Sequence, residues 1–293
     1  MEQKIRIAAI ENPIDRLIAF IEERETIRVR RAKGFPWPWT QDTILQTYRF
    51  TNIHREDDAV SLHYQKTVRT RYHNSPLVFP GTVFYRWFNR PTTCNQFFDG
   101  PGFERYMDKL DIMTLLVNLN QVPPPHVTGA YIINGMPGFS KGIGVIHYFH
   151  EWCSKPWKER WELWQQDPPM LEDIYEWLRS PGLGSFMRGQ IIADLKYLPF
   201  LKDTSDWWTW AASGPGSRRG LNIVLNRVMG SAWTETDWLR ELTILNKVVT
   251  PILKNIGIDR LHNQDLQNCL CEFSKYTKVA RGLGRPRQVF RHA

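Results

Sequence analysis

A short turn between two amphipathic patterns is the first place where this sequence could bind another molecule. It consists of Pro181, Gly182, Leu183, Gly184 and Ser185. A Pro-Gly-x-Gly turn lets backbone N–H groups point outward at the start of the second helix, where the helix dipole favours an anion such as phosphate. An ordinary tight turn between two helices explains the same residues equally well.

An aspartate flanked by tryptophans follows this turn, in the segment 203–208. A carboxylate beside a phosphate-binding turn could act as a general base, and a capping or surface aspartate is the alternative. We expect the alternative for Asp203 and a catalytic role for Asp206. The rings of Trp207, Trp208 and Trp210 could hold an unpaired base by stacking.

A glycine- and arginine-rich segment, 214–222, comes next. Ser217 can cap the helix that follows, and Arg218 and Arg219 fall in its first turn. Cations there oppose the helix dipole unless an anion is bound. We therefore predict a phosphate site with Gly216, Ser217 and the two arginines, and a capped helix with solvated arginines is the alternative. The segment is not a Walker A loop, because the Gly-x-x-x-x-Gly-Lys-Ser/Thr order is missing.

The last helical pattern contains Glu272, Lys275 and Tyr276, and it ends in a basic tail with Arg285 and Arg287. Glu272 and Lys275 could form a plain surface pair, and the tail could simply be solvated. The family resemblance described below implies that Glu272 and Lys275 take part in catalysis and that the tail arginines bind DNA. It also implies that Tyr276 lines a base pocket, with Arg55 and Glu56 as a weaker addition.

The elements that must position these residues are helices. Strand alternation is confined to one weak candidate at 129–134. We predict a mainly α fold. The chain would form one domain over residues 1–293, and if this domain has two lobes, the break between them is near 120–128. The first predicted helix starts at Pro13 and ends before Gly34, and Thr40 is the predicted cap of a second helix that carries residues 44–50. The other predicted helices cover about 59–72, 103–119, 143–152, 171–178, 186–198, 219–229, 235–256 and 266–281.

Composition favours a polyanion as partner. The formal charge is +8, and the chain has 13 Trp, 10 Tyr and 15 Phe; aromatic faces stack unpaired bases in nucleic-acid proteins, although most such rings are core. The four cysteines have no zinc-finger spacing, no histidine set suggests a metal, and no apolar run reaches membrane length. We expect an intracellular protein without metal or cofactor.

Two resemblances give these residues a function. The turn at 181–184 is similar to the helix-hairpin-helix of DNA glycosylases, which implies that Pro181, Gly182, Gly184 and Ser185 grip a DNA backbone. The whole chain resembles the α-glutamyl/putrescinyl-thymine pyrophosphorylase family, or amino acid:DNA transferases, whose helical module also occurs in 5-hydroxymethyl-deoxyuridine DNA kinases. The motifs that carry this resemblance are 38–42, 48–52, 55–57, 129–131, 181–184, 214–222 and 271–276.

The second resemblance implies a bacteriophage enzyme that replaces the (pyro)phosphate of 5-(pyro)phosphoryloxymethyluracil in DNA with an amine. Its partners would be double-stranded DNA with the phosphorylated base and a free amino acid or polyamine, in the cytoplasm of an infected bacterium. Asp206 would deprotonate the amine, and Arg218 and Arg219 would clamp the leaving phosphate. Because no kinase motif is present, we expect the transferase or a free-standing helical module, and not the kinase. A DNA glycosylase and a non-catalytic DNA-binding module remain alternatives.

Overall fold

The computed structural model describes residues 7–130, 133–286 and 289–290, and it divides into two compact units. The first unit joins both ends of the chain, residues 1–58 and 208–293, and the second comprises residues 59–207. The predicted lobe break near 120–128 lies inside the second unit. Whether the units form one domain stays a prediction.

The first unit consists of five α-helices within its described residues. Helix α1 begins as predicted, because the Asn12 side chain accepts hydrogen bonds from the N–H groups of Ile14 and Asp15 and Pro13 takes the first helical position. Helix α2 is capped by Asp42 and not, as we expected, by Thr40. The helices are α1 (Pro13–Ala32), α2 (Thr43–Thr47), α13 (Pro215–Val224), α14 (Glu235–Asn255) and α15 (Asn263–Ala280).

Two of these helices, α13 and α15, cross at a very short distance. A methyl group added at Gly220 would lie 2.1 Å from the Leu270 carbonyl oxygen, and one at Gly216 would lie 2.3 Å from the Cys271 Sγ atom. Any side chain at these two positions would push the helices apart. The glycines of the 214–222 motif therefore serve helix packing.

The second unit contains the remaining helices. A π-helical turn, Gln65–Arg69, joins α3 and α4, so that 59–72 is continuous as predicted. The helices are α3 (Ala59–Tyr64), α4 (Thr70–Tyr72), α5 (Val78–Phe88), α6 (Pro91–Phe98), α7 (Gly102–Lys109), α8 (Ile112–Asn120), α9 (Lys141–Trp152), α10 (Trp157–Gln166), α11 (Leu171–Trp177) and α12 (Ser185–Leu195).

Sequence periodicity missed α5 because every residue of this helix is buried, which leaves no polar face to set a period. The predicted helix at 103–119 is interrupted, since Leu110 takes a left-handed conformation and Asp111 caps α8. Residues 131–132 of the weak strand candidate lie outside the described residues, and its described part is not a strand.

The mainly α prediction is confirmed, because the named elements of the described ranges are all helical. No helix in those ranges combines the length and apolar character needed to cross a membrane.

Candidate nucleic-acid interface

A tight turn joins α11 to α12 at the predicted place, and we call residues 181–184 the hairpin; whether it grips a DNA backbone stays a prediction. The Leu183 N–H donates to the Ser180 carbonyl oxygen at 3.1 Å, which closes the turn, and Gly184 caps α12. Gly184 has no side chain to bond the first N–H groups of the helix, and these groups have no acceptor within the helix itself. Pro181, Gly184 and Ser185 are exposed. The turn therefore presents the positive end of α12 to solvent.

A glycine is required at position 182 for two reasons. Gly182 has a φ of +73°, which side chains rarely adopt, and an added Cβ would lie 2.4 Å from the Tyr148 ring. Tyr148 is in turn stacked on Trp87, with ring centroids 6.4 Å apart and planes 9° apart. The turn is thus seated on two aromatic rings of its own unit.

A small pocket opens beside this turn. Its lining includes Trp87, Asn134, Gly184 and Ser185. The Trp87 indole is fully buried, and its Nε1 atom has no hydrogen-bond partner within the described part of the chain. The pocket therefore places the start of α12, an amide and a hydroxyl side chain beside apolar side chains that make up about half of its lining.

The helix that starts at the hairpin is fixed from its other end by a buried ion pair. The Arg86 guanidinium donates two hydrogen bonds to the Asp194 carboxylate, one of them at 2.8 Å, and a third to Asn89 Oδ1 at 2.8 Å. Both charged side chains are almost completely buried. This bidentate pair ties α12 to α5, and sequence analysis did not identify it.

Asp206 caps a helix. Its two carboxylate oxygens accept hydrogen bonds from the Leu171 N–H at 3.0 Å and the Glu172 N–H at 3.1 Å, at the start of α11. The capping alternative that we considered thus accounts for its position. The general-base role assigned to it depended on amine transfer, which the comparisons below exclude.

The three tryptophans of this segment do not share a unit. Trp207 belongs to the second unit, where its Nε1 donates to the Lys196 carbonyl oxygen and the Lys196 ammonium lies 3.9 Å from its ring centroid. In the first unit, Trp208 is exposed beneath the Arg260 guanidinium at 4.2 Å, and Trp210 is buried. Their role in holding a base stays a prediction.

Each of the three guanidinium nitrogens of Arg218 has a protein partner. The side chain donates to Ser213 Oγ at 2.7 Å, to the Trp233 carbonyl oxygen at 3.0 Å and to Glu235 Oε2 at 2.7 Å. These contacts explain a cation in the first turn of α13 without a bound phosphate, because Glu235 supplies the anion.

The remaining members of the predicted phosphate site also have structural surroundings. Ser217 is buried, and its Oγ accepts from the Gly214 N–H at 3.0 Å, while Gly216 faces Cys271. Arg219 is half-buried, and its Nε has no hydrogen-bond partner among the described residues. We therefore leave Gly216 and Ser217 out of the DNA surface proposed below.

The residues predicted on α15 bind the segment at 42–52 of the same unit. Glu272 Oε2 accepts from the Thr51 N–H at 3.2 Å and pairs with Lys275 Nζ at 2.6 Å, and Lys275 also donates to the Arg49 carbonyl oxygen. The Tyr276 hydroxyl donates to Asp42 Oδ2 at 2.5 Å. The motif 271–276 therefore joins α15 to a segment more than 200 residues earlier in the chain, which a sequence alone could not indicate.

Arg55 and Glu56 lie on a short turn that approaches the start of α15. The Arg55 N–H donates to Asp265 Oδ1 at 3.1 Å, and His54 Nδ1 lies 3.4 Å from Asp265 Oδ2. The hydrogen bond with Asp265 raises the pKa of His54 above its usual value. Sequence analysis did not identify the pair of His54 and Asp265.

The basic tail is described only in part. Arg285 is exposed, and Arg287 lies outside the described residues. Within the described ranges, no group of His, Cys, Asp and Glu side chains could hold a metal ion.

Comparison with known proteins identifies the family of this chain. A family model described as 5-hmdU DNA kinase, helical domain, matches residues 11–283. The chain belongs to this family. It is also 24% identical over 282 residues to a protein named 5-hmdU DNA kinase from Bacillus phage SP10, and the match covers 87% of this chain and 43% of that kinase. No solved structure matches the chain.

The expected membership of the pyrophosphorylase family is therefore wrong, and so is the expected amine-transferring activity. We excluded the kinase because the sequence lacks a kinase motif, but the helical domain of 5-hmdU DNA kinases is a family of its own. The roles in amine transfer assigned to Asp206, Arg218, Arg219, Glu272 and Lys275 fall with that activity, and any other catalytic role of these residues stays a prediction.

Proposed function

We propose that this chain binds DNA containing 5-hydroxymethyldeoxyuridine and acts in the phosphorylation of that base. The family name and the related phage kinase support this role. The chain spans less than half of that kinase, so the reaction itself is part of the proposal. We assign to this chain the task of holding the DNA.

The observation that carries the proposal is the exposed hairpin at the start of α12. Its backbone N–H groups and the hydroxyl of Ser185 are suited to one phosphate of a DNA strand. The rings of Tyr148 and Trp87 support Gly182 from below, so the turn is preformed before DNA arrives. The formal charge of +8 favours encounter with a polyanion.

Phosphate contacts alone would not distinguish the modified base. A 5-hydroxymethyl group occupies the place of the thymine methyl in the major groove and adds a hydroxyl that can donate and accept a hydrogen bond. One such bond contributes about 0.5–1.5 kcal/mol, which is a preference of roughly 2- to 12-fold over thymine. We expect a preference of this size.

The test is a binding measurement with three duplexes of identical sequence, carrying 5-hydroxymethyluracil, thymine or 5-phosphomethyluracil at one position. We expect the hydroxymethyl duplex to bind most tightly, since it is the substrate of a kinase, and affinity to fall steeply with salt. Tightest binding of the phosphorylated duplex, or an affinity independent of salt, would contradict the proposal.

A further inference from the structure

A loop in the first unit exposes two large aromatic rings. We define the aromatic loop as residues 34–39, which follow α1. Phe35 is 55% exposed and Trp37 is 45% exposed. None of the residues assigned to DNA binding above lies in this loop.

Hydrogen bonds to its own backbone hold the aromatic loop in place. The Phe35 N–H donates to the Arg30 carbonyl oxygen at 3.0 Å, and Trp39 Nε1 donates to the Phe35 carbonyl oxygen at 2.7 Å. The Arg30 side chain donates to the Trp39 carbonyl oxygen at 2.6 Å. Pro36 and Pro38 restrict the backbone further. The two exposed rings are therefore presented on a rigid support.

The chain segment that contains the aromatic loop is basic, and Glu23, on α1, accepts a hydrogen bond from Thr40 directly after the loop. Residues 26–41 contain four basic side chains and no acidic one. Arg31 and Lys33 are exposed at the end of α1, directly before the loop. The partner that fits such a surface has anionic groups beside flat apolar faces, and an opened DNA strand has both.

We propose that the aromatic loop stacks Phe35 and Trp37 on bases exposed where a DNA duplex is opened, while Arg31 and Lys33 contact the adjacent phosphates. This inference rests on the proposed DNA binding and extends it with a second surface. An enzyme that acts on a base takes that base out of the stack, and aromatic side chains can cover the faces left open.

The experiment compares two duplexes of one sequence, one fully paired and one with a short unpaired bubble. We expect the wild-type chain to prefer the bubble and the variant Phe35→Ala/Trp37→Ala to lose that preference. Each stacked ring accounts for roughly 5- to 150-fold in affinity, so the bubble should bind the double variant at least about 25-fold more weakly. The paired duplex should bind both proteins alike.

A matched control is Phe139→Ala, which removes an equally exposed ring, 46% exposed, from the second unit. It should retain the preference for the bubble, and thermal melts should show that all variants are folded. A wild-type chain that binds both duplexes equally, or a double variant that still prefers the bubble, would overturn the stacking proposal alone. A wild-type chain that binds neither duplex would overturn the proposed DNA binding as well.

Discussion

The hairpin makes a specific prediction about Gly182 and Gly184, two glycines that lie two residues apart in the same turn. An added methyl group at Gly182 meets the Tyr148 ring at 2.4 Å, and the backbone there has a φ of +73°. At Gly184 an added Cβ has no described atom within 4 Å, and φ is −68°. A substitution by alanine should therefore destabilise the protein at position 182 and leave its stability unchanged at position 184.

The expected destabilisation of Gly182→Ala follows from two contributions. A left-handed conformation is less favourable for a residue with a Cβ by roughly 1–2 kcal/mol. Moving Tyr148 from its place on the buried Trp87 ring adds roughly 1–3 kcal/mol, as for other overpacked sites. The total of about 2–5 kcal/mol corresponds to a fall in Tm of roughly 4–20 °C for units of this size.

The assay combines thermal denaturation with DNA binding by fluorescence anisotropy. We expect Gly182→Ala to lower both Tm and DNA affinity, and Gly184→Ala to leave Tm within about 2 °C of wild type, because that change is nearly strain-free. Gly184→Val should keep the wild-type Tm and weaken binding, since its branched side chain keeps a phosphate away from the start of α12. A Gly182→Ala protein with wild-type Tm and affinity would refute this reasoning.

Three further predictions concern charged groups away from the turn. Arg86→Met removes the guanidinium that pairs with the buried Asp194 carboxylate, and it should lower the free energy of unfolding by about 3–5 kcal/mol in denaturant melts. The double variant Arg86→Met/Asp194→Leu should recover most of that loss, and a double variant as unstable as the single one would contradict this. Asp206→Ala removes the cap of α11 and should lower the free energy of unfolding by about 0.5–2 kcal/mol while the affinity for DNA stays the same. A variant that is as stable as the wild type but binds DNA weakly would show instead that the carboxylate acts on DNA. The hydrogen bond with Asp265 raises the pKa of His54 above 6.5, so protonated His54 stabilises the fold fully below pH 6.5, and this stabilisation is lost as the pH rises through the raised pKa. Over that pH range the free energy of unfolding of the wild type should fall relative to that of His54→Gln. Parallel pH profiles of the two proteins would exclude a stabilising His54–Asp265 pair.

Local features of the sequence predicted local features of the structure. Asn12 and Pro13 start α1 because capping depends on residues within one turn. The hairpin at 181–184 was predicted for the same reason, since a proline and two glycines specify a turn whatever surrounds them. The ends of these helices agree with the predicted ends to within a few residues.

Contacts between distant residues could not be predicted. Asp206 caps a helix that starts 35 residues earlier, and Arg86 pairs with an aspartate 108 residues away. A single sequence shows an aspartate or an arginine without its partner, so both a catalytic and a structural role fit it. The partner of Arg218 was hidden in the same way, because Glu235 lies one helix further along the chain.

The family prediction failed for a different reason. The motifs at 181–184, 214–222 and 271–276 indicate the helical module, and this module belongs to 5-hmdU DNA kinases. The absent phosphate-binding loop was taken to exclude a kinase, although a helical domain need not contain it. Motifs whose glycines serve helix packing, such as Gly216 and Gly220, identify a fold more safely than a reaction.

Hydrogen exchange of the hairpin amides in the presence of 5-hydroxymethyluracil DNA tests the central claim most directly. The backbone N–H groups at 184–187 should exchange their hydrogens more slowly when the chain binds a duplex containing the modified base, because phosphate oxygens become their hydrogen-bond acceptors. The same duplex added to Gly184→Val should leave exchange at these amides unchanged. Saturating DNA that protects other segments of the wild-type chain but not these amides would contradict the account.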